Sequence, residues 1–366
     1  MRLTALVEGI EPVDPACESA AWARLDSLTK PPRSLGRLEE LAARVSCVQR
    51  TVRPSVERKR IILMAADHGV VVEGVSGYPQ DVTAQMVANF SAGGAAVNQL
   101  AASVGAELTL VDIGVASDVS ALPGVLHKKL APGTHNIAQG PAMTVDLAAE
   151  AVLIGADLAM EAADAGVRLL GTGEMGIGNT TPATALTCAF TGADPTDVTG
   201  RGTGLDDEGV RRKVAVVQRA LEANAASLGD PLETLAALGG FEIAGLAGVI
   251  LGGARAHICV VVDGFISGAA ALAAVALSPT CLGYLTPSHR SAEPGHRAVL
   301  EHLGLVPVLE LDMRLGEGTG AALAFGIIDG ACRMMSGMAT FAEAGVATAD
   351  AAGSNAVNAG DGNSPV

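Results

Sequence analysis

Three short stretches combine glycines, carboxylates and helix starts in patterns that could act on an anionic ligand. The first, Gly171-Thr172-Gly173-Glu174-Met175-Gly176-Ile177-Gly178-Asn179-Thr180-Thr181-Pro182, formally contains G-x-G-x-x-G at Gly171, Gly173 and Gly176. That pattern is a dinucleotide fingerprint, and it opens one reading as a nicotinamide-dependent oxidoreductase. The acidic residues about 20 positions on, Asp194 and Asp197, follow a helical stretch and a turn, with no second strand to present them to a ribose. A less demanding reading makes the loop a phosphate site built from bare backbone N–H groups and a helix N-terminus. The bland alternative is a tight turn that needs glycine for steric reasons alone.

The second stretch, Gly200-Arg201-Gly202-Thr203-Gly204-Leu205-Asp206-Asp207, precedes a helix carrying Arg211, Arg212 and Lys213. Asp206 is suited to cap that helix. One of the three basic residues could turn inward onto a phosphate; a solvated helix face is the alternative for each. The third stretch is Arg314-Leu315-Gly316-Glu317-Gly318-Thr319-Gly320-Ala321. Flanked by glycines, Glu317 has no neighbouring side chain to solvate it. Burial would raise its pKa and suit it to accept a proton near neutral pH. Equally, it could simply favour the positive end of the following helix. Asp67-His68 and Asp263 are further polar groups at strand ends, each able to bond nearby loop amides. His68, His289 and His296 match no strong metal-ligand spacing, so no metal is expected.

These stretches need a scaffold, and the apolar pattern supplies one. Residues 60–66, 107–111, 167–170, 257–262 and 306–311 are β-rich runs, each entering a turn and then an alanine-rich helix. Continuous apolar strands alternating with helices predict an α/β fold: a parallel sheet covered by helices on both faces. Sites in such sheets lie at the carboxyl ends of the strands, where the polar and glycine-rich turns fall. The first part of the chain differs. Leu35 to Val52 reads as an amphipathic helix after Lys30-Pro31-Pro32, closed by Pro54. The expected division is a large catalytic domain over 58–320, a small helical domain from 1–57 plus about 321–345, and a flexible tail over 346–366.

Bulk properties narrow the function. A net charge of −15 makes nucleic acid a poor partner. The longest uncharged run, Gly264 to Ser288, is broken by Pro279 and Pro287, and its apolar part, Phe265 to Leu277, falls short of the roughly 20 residues that span a bilayer. The first residues lack the long apolar core of a signal peptide. No membrane association and a cytoplasmic location are expected. Six scattered cysteines without a Cys-x-x-Cys pair read as reduced core thiols. Aromatics are only 2% of the chain and glycines number 45, which suits helices packed closely on a sheet.

Taken together, several stretches resemble the nicotinate-nucleotide–dimethylbenzimidazole phosphoribosyltransferase family of cobalamin nucleotide-loop assembly. They are Leu28-Thr29-Lys30-Pro31-Pro32-Arg33-Ser34-Leu35-Gly36-Arg37-Leu38-Glu39, Ala66-Asp67-His68-Gly69-Val70, the 173–181 loop, Gly239-Gly240-Phe241-Glu242-Ile243, Val262-Asp263-Gly264-Phe265, Ser288-His289-Arg290-Ser291-Ala292-Glu293 and Met313-Arg314-Leu315-Gly316-Glu317-Gly318. The resemblance covers roughly residues 25–340. It implies transfer of phosphoribose from nicotinate mononucleotide to 5,6-dimethylbenzimidazole without a cofactor, in a homodimer with a Rossmann-like sheet and a small helical domain. It further implies that Glu317 is the general base. Phosphate and ribose contacts would come from Glu174, Gly176, Ile177, Gly178, Asn179, Thr180 and Lys213. The nicotinate side would lie at Asp263, Gly264, Phe265 and Ser291, and the benzimidazole against Tyr78, Pro79, Gln80 and Gln85. Gly202 and Arg314 complete the candidate substrate contacts. A non-catalytic carrier of benzimidazole or nicotinate is the remaining rival.

Overall fold

A computed structural model describes residues 2–347. Six strands form one sheet: β1 Lys59–Ala66, β2 Ala106–Gly114, β3 Val125–His127, β4 Leu169–Met175, β5 Cys259–Val262 and β6 Leu285–Pro287. Their order is β3-β2-β1-β4-β5-β6, and every adjacent pair is parallel. Ile61 to Ala66 are fully buried, as a strand covered on both faces requires. The chain moves outward from β1 to β3, returns to β4 beside β1, then moves outward again to β6. That reversal opens a crevice at the carboxyl ends of β1 and β4, where ligands bind in sheets of this kind.

The helix Phe241–Arg255 is apolar all round and buried over nearly its whole length. It crosses the helix Val145–Asp164 with backbones in contact. A Cβ on Gly155 would stand 1.8 Å from Gly245 O, one on Gly248 would stand 1.9 Å from Val152 O, and one on Gly252 would stand 2.5 Å from Ala156 O. Only glycine permits this crossing, so the high glycine content is a packing device.

The described residues divide into two compact units. The larger comprises Val56–Ile327 with the residues up to Val13; the smaller comprises Asp14–Ser55 with the residues from Ile328 on. Within the smaller unit, the helices Pro15–Ser27 and Arg37–Val48 flank a loop pinned by a buried ion pair, Lys30 Nζ to Glu39 Oε2 at 2.8 Å. Glu39 also accepts the Leu35 N–H, and the Arg33 guanidinium lies 3.4 Å over the Trp22 ring. The larger unit carries the sheet. It also holds the first helix, Leu3–Glu8, whose Leu6 is fully buried. The sequence pattern groups residues 1–57 together, because six residues carry too little pattern to show which core they join.

Two other differences concern strands. The run 306–311 forms no strand. Pro307 has no N–H to donate, Val306 and Leu311 are exposed, and pairing shrinks to one isolated bridge past the end of β6, His289 to Leu309. The sheet edges are instead the three-residue strands β3 and β6, too short to announce themselves by pattern. Among the described residues no helix is long and apolar enough to cross a membrane. The tail expected over 346–366 lies, from 348 on, outside the described residues.

Because the Val152 carbonyl is backbone and cannot rotate away, Gly248→Ala is expected to destabilise the protein by at least about 1–3 kcal/mol in denaturant melts. Gly330→Ala, in an exposed helix interior with nothing within 4 Å, is expected to stabilise it by roughly 0.5–1 kcal/mol.

Candidate active site

A cavity of about 550 Å³ opens at the carboxyl ends of the strands. Its floor is the turn after β4. Glu174, Met175, Gly176, Ile177, Asn179 and Thr180 all line it, leading into the helix Thr180–Thr191. Gly178 does not line the cavity. It makes the turn at φ 86°, with Val71 packed where a side chain would go. The Ile177 N–H donates to Thr83 Oγ1 at 3.1 Å, which braces the loop from beneath, and the buried Asp67 carboxylate nearby accepts the Ala116 N–H at 2.7 Å. His68, fully buried, pairs with Glu242 at 2.7 Å behind Gly176.

Lys213 is the basic residue that turns inward. It is fully buried and donates to Thr180 Oγ1 at 2.7 Å and to Gly200 O at 3.3 Å. Burial lowers its pKa to about 8, with Glu293 opposing the shift. Arg211 and Arg212 stay on the exposed face, and Asp206 caps the helix by accepting the Gly209 N–H. Gly202 lines the cavity at φ 50°, where a Cβ would come within 2.8 Å of Thr180 Oγ1.

The opposite wall comes from the ends of β5 and β6. Gly264, Phe265, Ile266 and Ser291 line it, while Asp263 sits behind it with its carboxylate turned onto backbone amides. His296 accepts the Ser291 N–H at 2.9 Å, and His289 lies 2.9 Å from Ser288 Oγ, so these histidines shape the wall. Glu293, missed as a site residue, accepts the Gly202 N–H at 3.1 Å and leaves its Oε2 without a partner. Arg314 lines the cavity and donates to Gly202 O at 3.1 Å. Beyond Arg314 and Glu293 lies a second cavity of about 440 Å³.

At the mouth, Tyr78, Val82 and Met86 form an apolar lip, continued by Met175 and Leu315. Pro79, Gln80 and Gln85 are not among the lining residues, and Gln85 is exposed. Val82 and Met86 are one turn apart on the helix Val82–Ser91. Residues four apart share a face, and that spacing was the available signal. The polar Gln85, one position away, points elsewhere.

Glu317 closes the site. It stands at φ 64° between Gly316 at 80° and Gly318 at 84°. A Cβ on Gly316 would meet Glu174 Oε1 at 2.1 Å, and one on Gly318 would meet Ile61 Cγ2 at 2.8 Å. The glycines are there because the turn is pressed against the protein on both sides. Glu317 Oε2 is buried and has no hydrogen-bond partner. Burial, then the neighbouring Asp263 charge, raises its pKa to about 7. Burial also raises Asp263 to about 7, against the amides it accepts, and Glu174 to about 8, against the Asn179 side-chain amide that donates to it. Three acids therefore titrate near neutral pH beside an apolar half-chamber and an inward-facing lysine.

The formal dinucleotide fingerprint dissolves in this geometry. Gly171 and Gly173 lie inside β4, packed against Phe325 and the Glu317 carbonyl. Asp194 caps a short helix and Asp197 is exposed in it.

The phosphoribosyltransferase family model matches residues 10–346. A Chloroflexus aggregans nicotinate-nucleotide–dimethylbenzimidazole phosphoribosyltransferase is 53% identical over 344 residues, covering 94% of this chain and 98% of that protein. The chain belongs to this family. The enzyme of the same name from Chlorobaculum tepidum is 51% identical over 94% of this chain and 98% of its own. A crystal structure of CobT from Thermus thermophilus superposes with a TM-score of 0.88 at 49% identity, covering 91% of this chain and 99% of that one. As a member of the family, the protein is a phosphoribosyltransferase.

The raised carboxylates have a stability consequence. With its folded pKa above its unfolded one, Glu174 contributes stability that is present below about 4.5 and lost as pH rises through about 8. Glu174→Gln is therefore expected to raise the melting temperature at pH 8.5, with the gain vanishing near pH 4.5 in calorimetric scans.

Proposed function

We propose that the protein transfers the phosphoribosyl group of nicotinate mononucleotide to 5,6-dimethylbenzimidazole, giving α-ribazole 5′-phosphate and nicotinate for the lower-ligand nucleotide loop of cobalamin. We read it as a cytoplasmic homodimer. The observation that carries the reaction is Glu317 Oε2: a buried, unpartnered carboxylate oxygen between the apolar lip and the 176–180 turn.

The chemistry follows from the charges. The pyridinium of the nucleotide already leaves as neutral pyridine nitrogen, so its departure needs no general acid. One benzimidazole nitrogen donates its lone pair to C1′ as the C1′–pyridinium bond breaks, and Glu317 takes the proton of the ring N–H. Attack opposite the leaving group converts the β linkage to α. The apolar lip of Tyr78, Val82, Met86, Met175 and Leu315 suits a flat methylated ring. The phosphate belongs at the turn before helix Thr180–Thr191, with its dipole and Lys213 beneath. Gly264, Phe265 and Ser291 suit the nicotinate ring. Holding both rings about C1′ is catalysis by orientation, anchored by binding energy remote from the reacting carbon.

Mixing the pure protein with both substrates should release nicotinate with a new ribotide mass; absence of that product would refute the reaction. Glu317→Gln should lower kcat by about 10²–10⁴-fold with nucleotide affinity retained, whereas a carrier would show no change. In the wild type kcat should fall as pH drops through about 7, where Glu317 becomes protonated. Lys213→Ala should raise KM for nicotinate mononucleotide by about 10–100-fold. Wild-type KM should itself rise above pH 8, as Lys213 loses its charge.

A further inference from the structure

A non-glycine residue in the left-handed region persists only where its surroundings hold it, and Glu317 is such a residue. It stands two residues before the helix Thr319–Gly337, whose first-turn amides have no partner within the helix. Those amides converge on one carboxylate. Asp263 Oδ2 accepts from Gly318 N–H at 3.1 Å and Oδ1 from Ala321 N–H at 2.9 Å, and the nearby Gly320 and Gly264 amides also favour its charged form. Asp263 is itself immobilised. Its N–H donates to Thr172 Oγ1 at 3.1 Å, and its carbonyl accepts from Ser288 Oγ at 2.9 Å, tying it to β4 and β6. It is 1% exposed and does not line the cavity, so its charge faces the turn and not the substrate.

We propose that Asp263 is a positioning residue: by capping the helix Thr319–Gly337 from the end of β5, it fixes the left-handed turn that aims Glu317 into the cavity. The inference rests on Glu317 being the base. Besides Asp263, the ionisable groups about that turn are Glu174 at the end of β4, His289 against Gly320, and Arg314 on the same loop. Of these, Asp263 is the charge that raises Glu317 along with burial. Asp263 thus bears on the direction of Glu317 through the turn it caps and, after burial, on its basicity through charge.

Asp263→Asn keeps the size but must set an amide N–H against a backbone N–H, because both carboxylate oxygens already accept. It is expected to lower kcat by about 100-fold with KM for nicotinate mononucleotide little changed. Removing the negative neighbour should also let Glu317 ionise at lower pH, moving the acid limb of kcat downward. A purely structural residue would leave that limb in place, and an unmoved limb or near-normal kcat would overturn the assignment. In a Glu317→Gln background, Asp263→Asn should cost little further turnover; full additivity would also overturn it. Should the variant not fold, amide exchange in the wild type decides. The Ala321 N–H is expected to be protected like the helix interior, and exchange at the rate of an open loop would overturn the cap. Full turnover by Glu317→Gln would instead overturn the base reading on which this one rests.

Discussion

Burying a carboxylate makes it basic, but an isolated buried charge costs far more than a folded protein can tolerate unless it is bonded or protonated. The site is organised around that conflict. Asp263 remains buried because backbone amides from Gly264 and the 318–321 segment surround its oxygens. Glu174 is held by the Asn179 amide and a longer contact from the Glu317 N–H. Glu317 has an oxygen left unbonded at the cavity, and burial together with the Asp263 charge raises its pKa. What separates it from Asp263 is that its free oxygen belongs to a residue lining the cavity, while both Asp263 oxygens accept from backbone amides.

That arrangement depends on backbones being able to approach closely. Gly316 lies against Glu174, Gly318 against Ile61, Gly173 against the Glu317 carbonyl and Gly171 against Phe325. A methyl at Gly316 or Gly173 would push the Glu317 turn away from β4. The same logic governs the scaffold, where Gly155, Gly248 and Gly252 let two helices touch along their backbones. A chain with almost no aromatic residues builds a dense interior this way, because dispersion and burial depend on close contact rather than on large side chains.

An acidic protein that handles a nucleotide must create a local field against its net charge of −15. The turn before helix Thr180–Thr191 contributes a helix N-terminus, and Lys213 contributes a cation screened from water. Burial weakens that cation's hold on its proton, while Glu293 strengthens it. Glu293 also holds Gly202 over the lysine. The negative residue near the anion site therefore supports the positive one.

The sequence by itself determined the class of fold and the polar turns, because apolar runs and helix starts are local patterns set by neighbours in the chain. Glu174 to Thr180, Gly264 to Phe265 and Arg314 to Glu317 were all legible as turns, and family likeness named the chemistry. What sequence could not carry was direction and reach. The spacing of Val82 and Met86 puts them on one helix face, but it does not show that this face turns to the cavity while Pro79, Gln80 and Gln85 do not line it. That depends on how the helix rolls against β1, β2 and β4. Nor does the spacing show that Asp263 turns away from the substrate, that Glu293 faces Gly202, or that the 306–311 run fails to pair as a strand. Each of these was decided only when segments far apart in the chain were packed against one another, since a carboxylate's partners and its loss of water are properties of the assembled core.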